Sequence, residues 1–359
     1  MRASVEPESP GRAEGPAAAA EAGLRYVGDD EPGISRRKVG DGFRYFAPDR
    51  DEVTSDAILQ RIRSLAIPPA WTEVWICRTR NGHLQATGRD ARQRKQYRYH
   101  PEWAKVRGNG KFDRIVAFGH ALPRLRRRLR RDLKLPGFPR EKVVAIVVAL
   151  LADSLARVGN DSYARSNRSY GLTTLRNRHI RFLSGGRARL QFRGKGGAPH
   201  EIVLDDVRLG RLVRRCQQLP GQLLFQYRDD DGALRPVDSA QVNQYLHEAM
   251  GDAFTAKDFR TWGGTLEAFR AFAEAPPVGD QSETAIASIR NQVVKTVAAT
   301  LRNTPAVCRK AYIDPVVFDG WLDGSIARAA ANARGARQWE QALLKFLKAG
   351  HRRDNARRR

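Results

Sequence analysis

The sequence feature that most constrains the fold is an apolar run in the middle of the chain, VVAIVVALLA at residues 143–152. It is about half as long as the segment of roughly 20 residues that a membrane-spanning helix needs. Its apolar side chains surround the helix axis instead of forming one stripe, and a helix of this kind has to be buried on every side. The run therefore predicts a sizeable helical domain whose other helices enclose it.

The part of the chain before this run has a different texture. Residues 1–23 are mostly Ala, Glu, Gly and Pro, with too little apolar surface to offset the entropy of ordering, and are expected to form a flexible leader. Residues 24–104 alternate short apolar and aromatic runs with Gly, Pro and Asn-Gly, which predicts a small β-rich domain containing one helix at residues 55–65. Asn81-Gly82 lies between two strand-like runs and predicts a hairpin.

Helical spacing of apolar residues begins near residue 105 and predicts a mainly α domain over residues 105–345, followed by a basic tail at 346–359. The helical pattern is broken at residues 187–204, where two β-like runs are joined by Gly194-Lys195-Gly196-Gly197. Because glycine accepts positive φ at a tight turn, these runs predict a hairpin with Lys195 at its tip. The whole chain is predicted to be an α+β protein with a small N-terminal sheet and a larger helical domain.

The charge of the chain is strongly positive, with 64 Lys and Arg against 39 Asp and Glu and a net charge of +25. Nucleic acid is the commonest partner of such an excess. The basic residues recur along the folded length, which suits a long polyanion better than a membrane surface. The alternative is an arginine-rich solvated surface without such a partner, and composition alone leaves that alternative open.

Signatures of cofactors are absent from the sequence, which contains no GxxxxGK[ST] phosphate loop, no HExxH and no EF-hand pattern. The three cysteines, Cys77, Cys216 and Cys308, form no CxxC pair and are too few for a disulfide framework. The first twenty residues contain no apolar segment of the signal-peptide type. We therefore expect no metal, no nucleotide cofactor and a cytoplasmic location.

Four residues stand at positions that are unusual for solvated polar groups: Arg157 after the buried helix, Lys195 on the hairpin, Arg260 in KDFRTWGGT and Tyr312 in TPAVCRKAYI. Each has an ordinary structural explanation when taken alone, such as a cation at a helix end or a half-buried core phenol. A tyrosine in water has a pKa near 10, so it becomes a nucleophile at neutral pH only where positive charge favours the phenolate. These residue types together would supply such a pocket.

Four segments resemble, in this order, the active-site blocks of the bacterial, poxvirus-like type IB DNA topoisomerases: LARVGNDSYARSNRSYGLTTLRNRHI, FRGKGG, TAKDFRTWGGT and LRNTPAVCRKAYIDP. The earlier run IPPAWTEVWICRTRNGHLQATGRDARQRKQYRYHPEW is similar to the DNA-clamping domain of that family. The likeness covers roughly residues 24–345. It implies the catalytic fold that these enzymes share with tyrosine recombinases, preceded by a β-rich clamp.

The resemblance also implies a mechanism. Tyr312 would attack one DNA phosphodiester to give a 3′-phosphotyrosyl enzyme and a free 5′-hydroxyl, while Arg157 and Arg260 steady the phosphate oxygens. Lys195 would protonate the departing 5′-oxygen. Asn303, where the poxvirus enzymes have histidine, would donate a neutral hydrogen bond, because an amide does not exchange protons as imidazole does. The enzyme would relax positive and negative supercoils as a monomer, without ATP or metal.

The partner implied by the resemblance is double-stranded DNA, and the location is the nucleoid. Gln85 is expected to contact a base edge, and Tyr163 is expected to contact a phosphate. The weaker candidates for DNA contact, which could equally be solvated charges or sheet packing, are Arg89, Arg92, Lys95, Tyr97 and Tyr99. Arg302 stands where glycine is common in the family, and the sequence offers no reason for this substitution.

Two other functions remain open on the sequence. A tyrosine recombinase has a comparable set of Arg, Lys, Arg and Tyr, but it usually carries histidine three residues before the second arginine, where this chain has Lys257. A non-catalytic architectural DNA-binding protein would explain the charge, but it would leave the four chemical groups as coincidence. Loss of activity on replacing Tyr312 separates the enzymes from the architectural protein.

Overall fold

The computed structural model describes the backbone of residues 14–91, 93–251, 254–279 and 281–358; within these ranges, the side chains of 14, 104–111, 113, 162, 163, 166, 354, 355, 357 and 358 are excepted. The chain divides into two compact units, Met1–Lys111 and Phe112–Arg359. The division falls inside a helix, whereas the sequence analysis placed it after residue 104. The predicted fold class, a small β-rich unit followed by a larger mainly helical one, is confirmed.

The first unit is built on a five-stranded antiparallel sheet in the order β2-β1-β3-β4-β5. Its core is formed where apolar side chains of the sheet, including Ile34 and Ile76, pack against Ile62 of helix α2. This helix confirms the one predicted at residues 55–65. The elements of the unit are α1 (Glu14–Glu21), β1 (Ile34–Val39), β2 (Gly42–Phe46), α2 (Asp56–Ser64), β3 (Thr72–Ile76), β4 (Leu84–Arg89) and β5 (Lys95–Tyr99), after which α3 (Pro101–Asp132) begins.

The two strands predicted on either side of Asn81-Gly82 do pair as a hairpin, but the tight turn predicted at this dipeptide is absent. Strands β3 and β4 are antiparallel neighbours, with Ile76 opposite Ala86. Their connection is the loop at residues 77–83, which is longer than the two-residue turn that this dipeptide favours. The loop therefore needs an additional support, which Gln85 provides, as described below.

Of the flexible leader predicted for residues 1–23, residues 1–13 lie outside the described part of the chain, and Glu14–Glu21 form helix α1. Ala19 is fully buried in a cluster with Leu24 and Trp103. Alanine has the highest helix propensity, and its small side chain packs closely against an aromatic ring. Composition did not reveal this helix because the ring that covers it comes from a distant part of the sequence.

The second unit is mainly helical. Helix α4 carries the apolar run and has Val143–Val148, Leu150 and Leu151 almost completely buried, as predicted. It packs against α6, α7 and α8. After α3, the elements are α4 (Arg140–Ser154), α5 (Asp161–Asn167), β6 (Ile180–Phe182), β7 (Ala188–Arg193), β8 (Pro199–Leu204), α6 (Val207–Gln217), β9 (Gln226–Arg228), β10 (Leu234–Pro236), α7 (Ser239–Met250), α8 (Ala256–Glu274), α9 (Glu283–Leu301), α10 (Pro305–Ala311), α11 (Val316–Leu322), α12 (Ser325–Ala330) and α13 (Ala336–Arg358).

A three-stranded antiparallel sheet, in the order β6-β7-β8, interrupts the helices. Its β7 and β8 strands form the hairpin predicted at residues 187–204, with Arg193 opposite Pro199 at the end of the ladder. The turn is a short 3₁₀ segment in which Gly196 and Gly197 have φ of 76° and 81°. Glycine is required there because other residues enter this region only at a cost.

The C-terminal tail predicted at residues 346–359 is, up to residue 358, the continuation of α13. Phe346 and Leu347 are buried in the main core. The imidazole of His351 lies 2.8 Å from the carboxylate of Asp314. The basic residues that follow gave the segment the composition of a tail, but its first turns belong to the folded unit.

Within the described ranges, no helix is long and apolar enough to cross a membrane. No group of three or more His, Cys, Asp or Glu side chains that could hold a metal ion occurs among the same residues. The side chains of Cys77, Cys216 and Cys308 are buried, and none of the three is in a disulfide bond.

Candidate active site

Three of the predicted site residues come from separate elements of the second unit and meet at one point. Arg157 follows α4, Arg260 lies on α8, and Tyr312 caps the C-terminus of α10. The guanidinium groups of Arg157 and Arg260 both lie near the phenol of Tyr312 and interact with it electrostatically. The guanidinium carbon of Arg260 also lies 5.0 Å from the centroid of the tyrosine ring. The structure thus brings one phenol between two arginines.

The local sequence explains how these three side chains are positioned. Leu155 adopts the left-handed conformation, with φ of 53°, and ends α4 before Arg157. Thr304 caps the N-terminus of α10 and Pro305 occupies its first turn, as predicted. Since α10 is short, its far end places Tyr312 next to the buried part of α8.

The electrostatic environment of Tyr312 favours its ionised form. Burial by itself would raise the pKa of the phenol, but the positive charge and hydrogen bond of Arg260, and the charges of Arg157 and Lys257, outweigh it, so the pKa of Tyr312 is lowered. The pKa of Arg157 is lowered as well, first by burial and then by Arg260. An arginine stays protonated despite such a shift, so the phenol faces two permanent positive charges.

Arg260 is the most buried charged group of this site, with 4% of its surface exposed. Its two terminal nitrogens donate to the carbonyl oxygens of Leu155 and of Leu301, the latter at 2.7 Å. Its Nε is buried with no hydrogen-bond partner in the described part of the chain. No ion pair joins Arg157 or Arg260 to a described carboxylate. The pocket therefore holds positive charge that an anion would neutralise.

The sequence analysis expected the whole fork of Arg260 to face phosphate oxygens. In the structure, two of its donors are used to join the C-terminal ends of α4 and α9. Arg260 therefore has a structural task beside its electrostatic one, since the carbonyls that it binds precede Arg157 and Asn303 in the chain.

Two adjacent glycines in the TWGGT segment of α8 explain why this helix can approach the tyrosine closely. A Cβ at Gly263 would lie 2.3 Å from Leu155 Cδ1, and a Cβ at Gly264 would lie 2.7 Å from the backbone oxygen of Tyr312. Thr265, the next residue, donates its hydroxyl to that same oxygen at 3.3 Å. The helix thus fixes the backbone of Tyr312 by direct contact.

We expect Gly264→Ala to move Tyr312 away from the arginines. Alanine in a helix normally stabilises by up to about 1 kcal/mol relative to glycine, but the added methyl group meets backbone and should instead destabilise by about 1–3 kcal/mol. Thermal unfolding measures this effect. Gly335→Ala, just before α13, is a steric control, because a Cβ at Gly335 meets nothing within 4 Å; a Gly264→Ala variant as stable as the unsubstituted protein would contradict the prediction.

Asn303 is the second residue after α9 and is half-buried. Its backbone N–H donates to Ala298 O at 3.0 Å, which fixes the residue at the helix end. Its side-chain Nδ2 is buried without a hydrogen-bond partner among the described residues. An unused buried donor is costly, so this amide is suited to an acceptor that arrives with a ligand.

Lys195 lies at the exposed turn of the β7–β8 hairpin. The base of this hairpin is tied to the site through His200, whose ring stacks on Phe192 with centroids 5.0 Å apart. A Cβ at Gly194 would lie 2.3 Å from the imidazole. Burial, followed by the charges of Arg157, Arg260 and Arg302, lowers the pKa of His200 to about 4. The hairpin therefore begins within the field of the arginines.

Sequence analysis missed Lys257 and His200 as members of this environment. Lys257 was noted only because a recombinase has histidine there, although its position three residues before Arg260 puts both on one side of α8. His200 was assigned no chemistry. No sequence signal marks it, because its proximity to the arginines depends on how the hairpin packs.

Gln85, the predicted base contact, is buried, with 3% of its surface exposed. Its Nε2 donates to the carbonyls of Thr79, Arg80 and Gly82, and its Oε1 accepts from Arg61 at 3.1 Å. The amide is therefore occupied in holding the loop between β3 and β4. Its contact with DNA stays a prediction.

The other DNA-contact candidates of the first unit lie on or beside β4 and β5. Arg89 forms an ion pair with Glu73 at 2.7 Å, and Lys95 forms one with Asp29 at 2.7 Å. The rings of Tyr97 and Tyr99 stack with centroids 6.0 Å apart. Arg92 and the side chain of Tyr163 lie outside the described residues.

A helical unit that holds one tyrosine between two arginines is typical of enzymes that cut and rejoin DNA strands through that tyrosine. Comparisons with known proteins identify the family of such enzymes. Residues 100–317 match the family model of the eukaryotic DNA topoisomerase I catalytic core, and residues 42–90 match that of the bacterial DNA topoisomerase IB N-terminal domain.

Individual relatives agree with the family models. DNA topoisomerase 1B of Acanthamoeba polyphaga mimivirus is 35% identical over 286 residues, which cover 78% of this chain and 85% of that protein. DNA topoisomerase 1B of vaccinia virus (strain Copenhagen) is 23% identical over 237 residues, 65% of this chain and 70% of that protein. This chain therefore belongs to the type IB DNA topoisomerase family, and the resemblance predicted from the sequence is confirmed.

Proposed function

We propose that this enzyme relaxes both positive and negative supercoils by cutting one strand of duplex DNA through Tyr312 and then rejoining it. The observation that supports this proposal most strongly is the phenol of Tyr312, which lies beside the guanidinium groups of Arg157 and Arg260 and whose pKa their charges lower. The proposed nucleophile and the charges that would activate it therefore lie together in the absence of substrate. The basic surface of the chain provides the attraction for a DNA backbone.

In the proposed cleavage step, the Tyr312 hydroxyl loses its proton to solvent water as its oxygen forms a bond to phosphorus, and the bond from phosphorus to the 5′-oxygen breaks. The product is a 3′-phosphotyrosyl diester and a free 5′-hydroxyl. Negative charge grows on the phosphate oxygens in the transition state, where the two guanidinium groups stabilise it. Asn303 supplies a further donor, since its Nδ2 is buried with no partner among the described residues.

Lys195 is the proposed general acid for the departing 5′-oxygen. Its place at an exposed hairpin turn allows it to close over bound DNA, and the two glycines that follow it permit the backbone to change conformation. Closure would bring the ammonium group within proton-transfer distance of the leaving oxygen only when DNA is present. Cleavage is then confined to the enzyme–DNA complex.

The proposed reaction needs neither nucleotide hydrolysis nor a divalent ion. One phosphodiester is exchanged for another, so the free energy of the covalent intermediate remains close to that of intact DNA, and the 5′-hydroxyl can reverse the step. Strain in the supercoiled DNA supplies the direction. The guanidinium groups give the charge stabilisation that a metal ion would otherwise give. We propose that the enzyme works as a monomer on nucleoid DNA.

The test is a plasmid relaxation assay in EDTA and without nucleotide. We expect positively and negatively supercoiled plasmids both to be relaxed, and denaturation during turnover to leave protein attached to the 3′ end of a nick. A strict requirement for magnesium or ATP would contradict the proposal. Strand exchange between two paired DNA sites would instead favour a recombinase.

A further inference from the structure

Two arginines of the second unit occupy backbone conformations that arginine normally avoids. Arg168, which follows α5, has φ of 49°, and Arg302, which caps α9, has φ of 47°. Residues at helix C-termini with this left-handed geometry are usually glycine, because a side chain makes the conformation costly. The chain nevertheless has a long charged side chain at both positions.

The side chains of Arg168 and Arg302 line one cavity of about 680 Å³ next to the β7–β8 hairpin, which Arg178 and Arg193 also line. Glu201 is the one carboxylate in the described lining. Its oxygens are engaged by Gln191 at 2.7 Å and by Arg189 at 3.6 Å. Four guanidinium groups therefore share one cavity with one carboxylate, and that carboxylate has other partners.

The two histidines that line the cavity do not change this balance. Burial and the charges of Arg178 and Arg176 lower the pKa of His179 to about 4, and burial with the arginines of the active site and Arg302 has the same effect on His200. Both imidazoles are neutral at pH 7. The described walls thus carry an excess of positive charge that needs an anion from outside.

The cavity is connected to the candidate active site by consecutive residues of the chain. Arg302 lies between Leu301, whose carbonyl accepts from Arg260, and Asn303, whose Nδ2 is buried without a described partner. Neighbouring Cα atoms are about 3.8 Å apart. A DNA strand with one phosphate at Asn303 would therefore have its next phosphate within reach of the long side chain of Arg302.

We propose that this cavity binds the DNA phosphate next to the one that Tyr312 attacks, and that Arg168 and Arg302 are positioning residues kept in strained conformations for this contact. The proposal rests on the proposed function, since it requires duplex DNA in the active site. It also gives a reason for arginine at position 302. The ordinary alternative is that both arginines only balance the negative ends of their helices, which requires neither a shared cavity nor a bound anion.

The experiment uses the full chain with Tyr312→Phe, so that binding to DNA is measured without covalent capture. Binding of a fluorescent duplex is followed by anisotropy from low to high NaCl, and thermal unfolding is measured in parallel. Arg302→Gly should raise Tm by about 2–4 °C, because the backbone strain is relieved. It should also weaken binding about tenfold and reduce the slope of log K against log salt by about 0.9, the value for one lost phosphate contact.

Arg302→Gln separates charge from strain, because glutamine keeps the unfavourable backbone conformation and removes only the positive charge. This variant should lose the same affinity and the same salt slope without the gain in Tm. Arg235→Gln is the matched control, since Arg235 pairs with Asp229 at 2.9 Å on the β9–β10 hairpin and does not line the cavity. It should leave both the affinity and the salt slope unchanged.

Two results would overturn the proposal. If Arg302→Gly raises Tm but binds DNA with the parent's affinity and salt slope, the arginine serves no phosphate. If Arg302→Gly fails to raise Tm, the backbone at residue 302 is not strained, and arginine at this position no longer needs a functional explanation. Failure of the Tyr312→Phe parent itself to bind duplex DNA would instead remove the proposed function, so the two failures are distinguishable.

Discussion

Tyr312→Phe will abolish DNA relaxation and covalent capture while duplex binding is retained. The substitution removes only the hydroxyl, which is the atom that would bond to phosphorus, and leaves both arginines and the basic surface in place. Because no other group can form the same diester, we expect a loss of at least about 10⁴-fold, which takes the rate to the detection limit of the assay. Relaxation of a supercoiled plasmid and trapping of the protein–DNA adduct by denaturant measure the two activities.

Tyr227→Phe is the matched control for this variant. Tyr227 is also half-buried, and it lies on β9, where its hydroxyl accepts a hydrogen bond from Gln241 of α7 at 2.9 Å. Its loss should change stability by about 1 kcal/mol and leave relaxation intact. Relaxation by Tyr312→Phe at more than a trace level would mean that another residue is the nucleophile.

The parts of the fold that could be predicted are those with a strong local signal. The apolar run of α4 has one stable environment, a fully buried helix, wherever it occurs. Thr304 and Pro305 begin α10 as expected because a cap and a first-turn proline act within one helical turn. The glycine turn of the β7–β8 hairpin is local in the same sense.

Features that depend on distant residues could not be predicted. The helix α1 is held in part by Trp103, which follows it by more than eighty residues. Gln85 was assigned to DNA because its side chain can contact a base, but the loop around it offers three carbonyl oxygens to its amide. Chemical type and sequence position do not reveal such competition between partners.

The sequence predicted the three residues that meet in the candidate site, but it did not predict Lys257 and His200 beside them or the geometry that joins them. The blocks that carry Arg157, Arg260 and Tyr312 identify the residues, whereas their convergence depends on the packing of α4, α8 and α10. The roles of Gly263 and Gly264 emerge only when the approach of Leu155 and Tyr312 is known. Arg302 is a further case. Its left-handed conformation explains why glycine is favoured at this position, but an arginine in the sequence does not predict that conformation.

Arg260 joins the two parts of the site, and this makes it sensitive to a substitution that keeps its charge. Its guanidinium donates to the carbonyls at the ends of α4 and α9 while it lies 5.0 Å from the ring centroid of Tyr312. A lysine ammonium is a compact charge with three donors and cannot span the same two carbonyls from one planar group. Loss of the planar guanidinium therefore removes support from the backbone that precedes Arg157 and Asn303, and it also changes the surroundings of the phenol.

We expect Arg260→Lys to lower the rate of single-turnover DNA cleavage by about 10²–10³-fold, because stabilisation of the transition state requires donors at fixed positions. It should also lower the free energy of unfolding by about 2 kcal/mol, since a buried carbonyl loses a charged donor. Arg270→Lys, on an exposed turn of the same helix, is the matched control and should change neither quantity. Wild-type cleavage by Arg260→Lys would show that positive charge alone is sufficient at this position, whereas a loss of stability with normal cleavage would confine Arg260 to its structural role.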